Sequence, residues 1–200
     1  VAVGALLVAG GLVVAVTGST GDGPTVTHPA AVRRGAVPTS PPTSQPGKGF
    51  AVGVRPVRLA IPAIGVDATV DDETVGSGGA LGVPPDPATV GWWSAGPLPG
   101  AAAGTAVLDS HVNYAGQPGA FAQLDQLQPG DTIEVTGASA SQAFVVTGLR
   151  EYVKGQLPWA TVFSGQVGGR LALVTCGGPF DSATGHYEDN IVAYAVPTTS

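Results

Sequence analysis

Leu171-Ala172-Leu173-Val174-Thr175-Cys176-Gly177-Gly178-Pro179 is the stretch from which the fold is read. Its first six residues are uncharged, it is too short for a self-supporting helix, and it stops at Gly-Gly-Pro. It therefore reads as a buried strand ending in a thiol at a glycine turn. Outward from it, similar short apolar runs between turn residues recur at Val54–Ile61, Val66–Val70, Thr105–His111, Thr132–Val135, Ala143–Leu149 and Asn190–Val196, with Pro129-Gly130-Asp131 as a clear turn. Only Ala120–Leu127, with Phe121, Leu124 and Leu127 three residues apart, predicts a short helix. With 31 Gly and 18 Pro in 200 residues there is little room for longer ones. Residues 53–200 are expected to form one mostly β domain, a sandwich or a barrel, without internal repeats.

Upstream the composition changes twice. Val1–Val16 holds no charged or hydroxyl residue and as a helix would be about 24 Å long. A few more apolar residues would complete the ~30 Å span of a bilayer core, so residues 1–17 are expected to be a membrane signal anchor. A cleaved signal peptide is the rival reading, but no Ala-x-Ala site closes Thr17–Thr20. Residues 18–52, with Pro24, Pro29, Pro38, Pro41, Pro42 and Pro46, cannot form a core and are expected to be an extended linker. At ~3.1 Å per residue it would carry the domain up to ~110 Å from the membrane, the reach of a tether through a cell wall.

The net charge of -6 argues against a nucleic-acid partner, which calls for a basic patch. Residues 53–200 alone carry 5 basic and 13 acidic side chains. One cysteine excludes an internal disulfide, and an unpaired thiol in an exported protein is exposed to oxidation, so Cys176 is a candidate nucleophile, with a small buried packing residue as the alternative. A thiol is mostly protonated at neutral pH and needs an imidazole to favour thiolate and later to protonate a leaving amine. His28 lies in the linker, while His111 closes the run Thr105–Ser110, so two strand ends could aim His111 and Cys176 at one cleft. Alternation puts Asp109 on the face of His111, where a solvated strand-edge acid is expected and orientation of the imidazole is the alternative. One Cys and two domain histidines fall short of a zinc ligand set, and neither metal nor cofactor is expected. No Gly-x-Ser-x-Gly elbow or Walker loop occurs, and the order His before Cys differs from papain-like enzymes.

These residues resemble the sortases, most closely the class E and F enzymes of actinobacteria. Leu173-Val174-Thr175-Cys176 is similar to the Leu-x-Thr-Cys signature, and Gly177-Gly178-Pro179-Phe180-Asp181 with Gly185-His186-Tyr187-Glu188-Asp189-Asn190 to the stretch after it. Upstream likenesses are Ile61-Pro62-Ala63-Ile64-Gly65-Val66, Gly91-Trp92-Trp93, Gly96-Pro97-Leu98-Pro99-Gly100 and Phe121-x-x-Leu124. The resemblance implies a closed eight-stranded β-barrel with short helices in its connections, an N-terminal transmembrane helix, and a catalytic domain outside the cell. By position it implies Cys176 as nucleophile and His111 as its partner. The chemistry implied is cleavage of a Leu-Pro/Ala-x-Thr-Gly-like sorting signal on secreted proteins and transfer, through a thioester, to an amine of peptidoglycan precursor or a pilin. Two residues depart from the family pattern: Ser110 stands where Gly is common, and no Arg or Lys occurs from Cys176 to Ser200, with Glu188 near the position of the family's Arg. His186, Asn190, Arg170, Arg150 and Arg58 are the possible replacement donors. The alternative function is a degenerate barrel that binds sorting peptides without catalysis.

Overall fold

The computed structural model describes residues 53–75 and 81–198. The expected anchor and linker lie outside them. Among the described residues no helix is long and apolar enough to cross a membrane.

Eight strands close into a barrel: β1 (Arg58–Ile61), β2 (Val66–Glu73), β3 (Val90–Trp93), β4 (Thr105–Asp109), β7 (Thr132–Thr136), β8 (Ser141–Val153), β9 (Arg170–Asp181) and β10 (His186–Pro197), in the order β1-β2-β3-β4-β9-β10-β8-β7. Two two-residue strands, β5 (Asn113–Tyr114) and β6 (Gln117–Pro118), make a small separate hairpin after β4. Pairing is antiparallel except for β2 with β3 and β4 with β9. A closed ring leaves no unpaired edge.

Period-two patterning explains which side faces in. Val66, Ala68 and Val70 of β2 are buried while Asp67, Thr69 and Asp71 are exposed. In the same way Ala106 and Leu108 of β4, Leu171 and Leu173 of β9 and Ala193 and Ala195 of β10 fill the barrel interior with Trp92, Phe144 and Leu59. The intervening residues Val107, Ala172 and Val192 face outward, yet they are buried too, because Leu157 and the short helix α1 (Trp159–Val162) of the β8–β9 connection cover them. Both faces of β4 and of the first part of β9 are therefore dry, which is why the deciding stretch reads as a continuous apolar run. Phe144 is fully buried in the interior. Phe144→Ala should cost ~3–5 kcal/mol, read as a lower denaturant midpoint; an unchanged midpoint would contradict the packing described.

Three expectations need correction. The helix over Ala120–Leu127 is only a 3₁₀ turn at Leu124–Gln126, held by i to i+3 bonds such as Leu124 N–H to Phe121 O (3.2 Å) and Leu127 N–H to Leu124 O (3.3 Å). Three-residue spacing is the period of that tighter helix. The sequence reading found no strand at Val90–Trp93, since Val90, Gly91 and Trp92 are all buried and show no alternation. Third, Gly177-Gly178-Pro179 is not the turn. β9 runs on to Asp181, and the reversal comes at residues 182–185, where the Asp181 carboxylate accepts from Ala183 N–H (2.8 Å) and Thr184 O–H (2.9 Å). Those bonds hold the Asp181 carboxyl below the usual range, the Ala183 amide first. Cys176 thus lies inside a long strand rather than at its end.

Candidate active site

β4 and β9 run parallel in register, Leu108 beside Leu173 and Asp109 beside Val174. The alignment outlasts the regular strand: Ser110 N–H donates to Val174 O (3.2 Å), and Thr175 Oγ1 donates to Ser110 O (2.8 Å). Past these bonds the two chains lead to His111 on the β4 side and to Cys176 on the β9 side. Ser110 is buried and bonded through its hydroxyl to Thr89 O (2.8 Å), so the residue that departs from the family's Gly ties the approach to His111 to the β2–β3 loop.

β4 ends at Asp109, so His111 lies two residues past it rather than closing the strand as expected. Its ring is fixed on two sides. Nε2 is 3.0 Å from the Pro84 carbonyl oxygen, and the ring stacks on Tyr114 at 4.8 Å between centroids. A carbonyl only accepts, so Nε2 carries the proton in that bond and Nδ1 is the nitrogen able to take one up. The His111 main chain is held by Phe121 N–H (3.2 Å) and by the close approach of Gly119, where a Cβ would collide with the His111 carbonyl.

Cys176 is half-buried and lines a cleft of about 180 Å³. Phe121, Leu124 and Ile191 give that cleft apolar walls, and Asp125 and Tyr187 also line it. Gly178 beside it has φ +72°, and any side chain there would strike the Asp189 carboxylate. A larger depression of about 310 Å³, lined by residues 64–68, 88, 118–120, 122 and 123, contains neither Cys176 nor His111 and offers no nucleophile.

The replacement donors named from sequence separate clearly. Arg170 lies at the far end of β9, bonded to Thr105 Oγ1 (2.8 Å) and the Thr161 carbonyl and stacked over Tyr194 (4.9 Å). Arg58 pairs with Asp67 on β2, and Arg150 bonds the Leu149 carbonyl (3.2 Å). His186 is exposed next to the hairpin turn, opposite Asp181. Asn190 alone of the five stands in register opposite Cys176. Glu188 falls at the irregularity between Tyr187 and Asp189, is exposed, and uses its backbone carbonyl to accept from Lys154 N–H (2.7 Å).

Asp109 reverses its expectation. It is not solvated but 5% exposed, with Oδ1 unpartnered, and it converges with Glu73 and Pro84 over the bare Gly91 backbone. No hydrogen bond joins it to His111, whose ring partner is Pro84. Burial, and then the negative charge of Glu73, push its carboxyl from 3.8 up to about 8. The folded chain thus keeps a proton that the unfolded chain releases. The stability this gives is full below about pH 4 and is lost progressively as pH rises to about 8. Asp109→Asn, always neutral, removes that slope, so the variant gains on the wild type by up to ~1.4 kcal/mol per pH unit across the window. Melting temperatures measured across it check this; parallel curves for the two proteins would contradict it.

Two site features were not legible in the sequence: the Pro84 carbonyl, brought over from the β2–β3 loop, and the ranking of Asn190, which depends on the β9–β10 register. The stacking of Tyr114 on His111 has no signal in the sequence either. Of the two adjacent tryptophans, Trp92 packs inside the barrel and Trp93 outside against Phe163 at 5.1 Å.

A closed eight-stranded barrel with a cysteine on β9 and a histidine just past the parallel neighbour β4 defines a class of cysteine-bearing β-barrels, and the comparisons agree with it. The Sortase domain family matches residues 59–198, and the chain belongs to the sortase family. Among solved structures it is similar to sortase C-1 from Actinomyces oris, with 21% identity over 74% of this chain and 77% of that one at a TM-score of 0.55. It is also similar to a lid mutant of sortase A from Corynebacterium diphtheriae, with 16% identity over 73% and 72% of the two chains at a TM-score of 0.56. Sortase C1 from Streptococcus agalactiae gives 17% identity over 78% and 72%, with a TM-score of 0.55. At such identities these structures speak to the fold. A search of curated protein sequences found no match.

Proposed function

We propose that the protein is a membrane-anchored cysteine transpeptidase of the sortase type, with Cys176 as nucleophile and His111 as acid and base. The observation that supports the reading is the parallel β4–β9 register, kept up to Ser110 and Thr175, the residues just before His111 and Cys176. The Cys176 thiolate attacks the Thr carbonyl carbon of a Leu-Pro/Ala-x-Thr-Gly-like sorting signal, and the electron pair moves to the carbonyl oxygen. Collapse breaks the Thr–Gly bond, His111 Nδ1–H protonates the departing amine, and a thioester remains. An acceptor amine, from peptidoglycan precursor or a pilin, gives its proton to His111, attacks the thioester and releases the thiolate. The apolar walls around Cys176 limit water, the competing nucleophile. Residues 1–17 anchor the chain, 18–52 tether it, and 53–200 work outside the cell. Within the family we place it with the class E and F enzymes of actinobacteria, on Cys176-Gly177-Gly178-Pro179-Phe180-Asp181 and His186-Tyr187.

The absence of any Arg or Lys from Cys176 to Ser200 supports a second reading, a barrel that binds sorting peptides and transfers nothing. Product analysis separates the two. With peptide and an added amine, the transpeptidase reading expects the peptide's Thr joined to that amine. Hydrolysed peptide alone would make the protein a peptidase, and binding with no product would favour the second reading.

A further inference from the structure

We infer that Asn190 supplies the hydrogen-bond donor that the missing cation would have given, its side-chain amide facing the sulfur and the developing oxyanion. This rests on the transpeptidase reading of Cys176. When a thiolate adds to a carbonyl, negative charge moves from sulfur to oxygen, and a preorganised donor aimed at that oxygen contributes more than any other single group. The donor must reach the outer face of the barrel at the level of Cys176.

The ladder picks out the residue. Asn190 pairs with Cys176 across β9 and β10, and with Tyr152 across β10 and β8. Directly opposed residues of an antiparallel pair point to the same face, with Cβ atoms ~4.5–5.5 Å apart. An amide extends two bonds beyond its Cβ, enough to cover the space over a neighbouring Sγ. The order across the ladder is therefore Cys176, Asn190, Tyr152, one residue from each of β9, β10 and β8. Val174 and Val192 form the next row and belong to the covered apolar cluster on that face, which closes the site on one side.

The other groups around Cys176 fit the role less well. Asp125, Glu188 and Asp189 are carboxylates, which when ionised only accept. The Tyr187 hydroxyl accepts from Asn113 Nδ2 (2.5 Å), and the Tyr152 hydroxyl pairs with that of Tyr194 (3.4 Å). His111 is occupied with the proton. A neutral amide donates without adding charge to the site. In the reaction it transfers no proton: it donates to the oxyanion while the S–C bond forms and releases it when the C–N bond breaks.

The test uses the full chain, with circular dichroism confirming that each variant is folded. Asn190→Ala should slow formation of the acyl-enzyme ~10²–10³-fold with the peptide KM little changed, and Asn190→Arg should recover much of that loss. A folded Asn190→Ala that acylates at the wild-type rate would overturn the inference. Alkylation of Cys176 by iodoacetamide, followed against pH, gives a readout independent of peptide chemistry. Asn190→Asp should move the midpoint to higher pH, because an anion facing the sulfur opposes thiolate; an unmoved midpoint would place the side chain elsewhere and overturn it too. If the wild type forms no acyl-enzyme, the transpeptidase reading falls and the oxyanion role with it. A shifted alkylation midpoint would then still place residue 190 at the sulfur, which distinguishes the two failures.

Discussion

Cys176→Ala should abolish acyl transfer altogether, leaving neither cleaved sorting peptide nor amine-linked product after prolonged incubation. The expectation follows from the composition as much as from the site: this is the only thiol in the chain, and of the hydroxyls lining its cleft Thr175 is bonded to the Ser110 carbonyl and Tyr187 to Asn113. Without sulfur no thioester can form, and the remaining groups could at most hold the peptide. The fold should tolerate the change, since Cys176 is half-buried and a methyl group fits where the thiol did. The variant should therefore still bind the peptide, by calorimetry or fluorescence, while product formation falls to the uncatalysed background. Turnover by Cys176→Ala at any fraction of the wild-type rate above that background would refute the mechanism.

The next largest effect is expected at His111. His111→Gln keeps an N–H able to donate to the Pro84 carbonyl and approximates the size of the ring, but it cannot shuttle a proton. Positioned general acid and base catalysis contributes ~10²–10⁴-fold, so acylation measured in a single turnover should fall by that factor. The loss should shrink when the leaving group is a better one than an amine, such as the thiol of a thioester substrate, because less protonation is then needed. An equal loss with both leaving groups would make His111 a structural residue only.

How much of this was legible beforehand depended on whether a residue's role is local. Leu171–Cys176 announced its strand because both faces are buried and the run is uninterrupted. Thr105–Asp109 did so for the same reason. Val90–Trp93 carries a strand of only four residues, two of which sit in a Gly-Trp pair that fits any loop, and its place between β2 and β4 is set by long-range pairing. Gly177-Gly178-Pro179 misled because glycine and proline mark turns on average, whereas here they serve an irregular stretch of β9 that lets Asp189 approach. Asp109 misled in the opposite direction. An acidic residue at a strand end is ordinarily wet, and nothing local reports that the β2–β3 loop, through Pro84, closes over it. The expectation that His111 partners Cys176 rests on strand placement and on the resemblance, while the neighbours that hold the imidazole had no signal in the sequence. Pro84 acts through its backbone, which has no sequence signature at all.

The central claim is that a thioester forms on Cys176. Intact mass spectrometry of the folded chain, incubated with a Leu-Pro-x-Thr-Gly or Leu-Ala-x-Thr-Gly peptide and quenched in acid, tests it most directly. The account predicts an added mass equal to the peptide's acyl portion ending at Thr, released by hydroxylamine and absent from Cys176→Ala. An unmodified mass from a folded chain that demonstrably binds the peptide would contradict it and leave a binding barrel in its place.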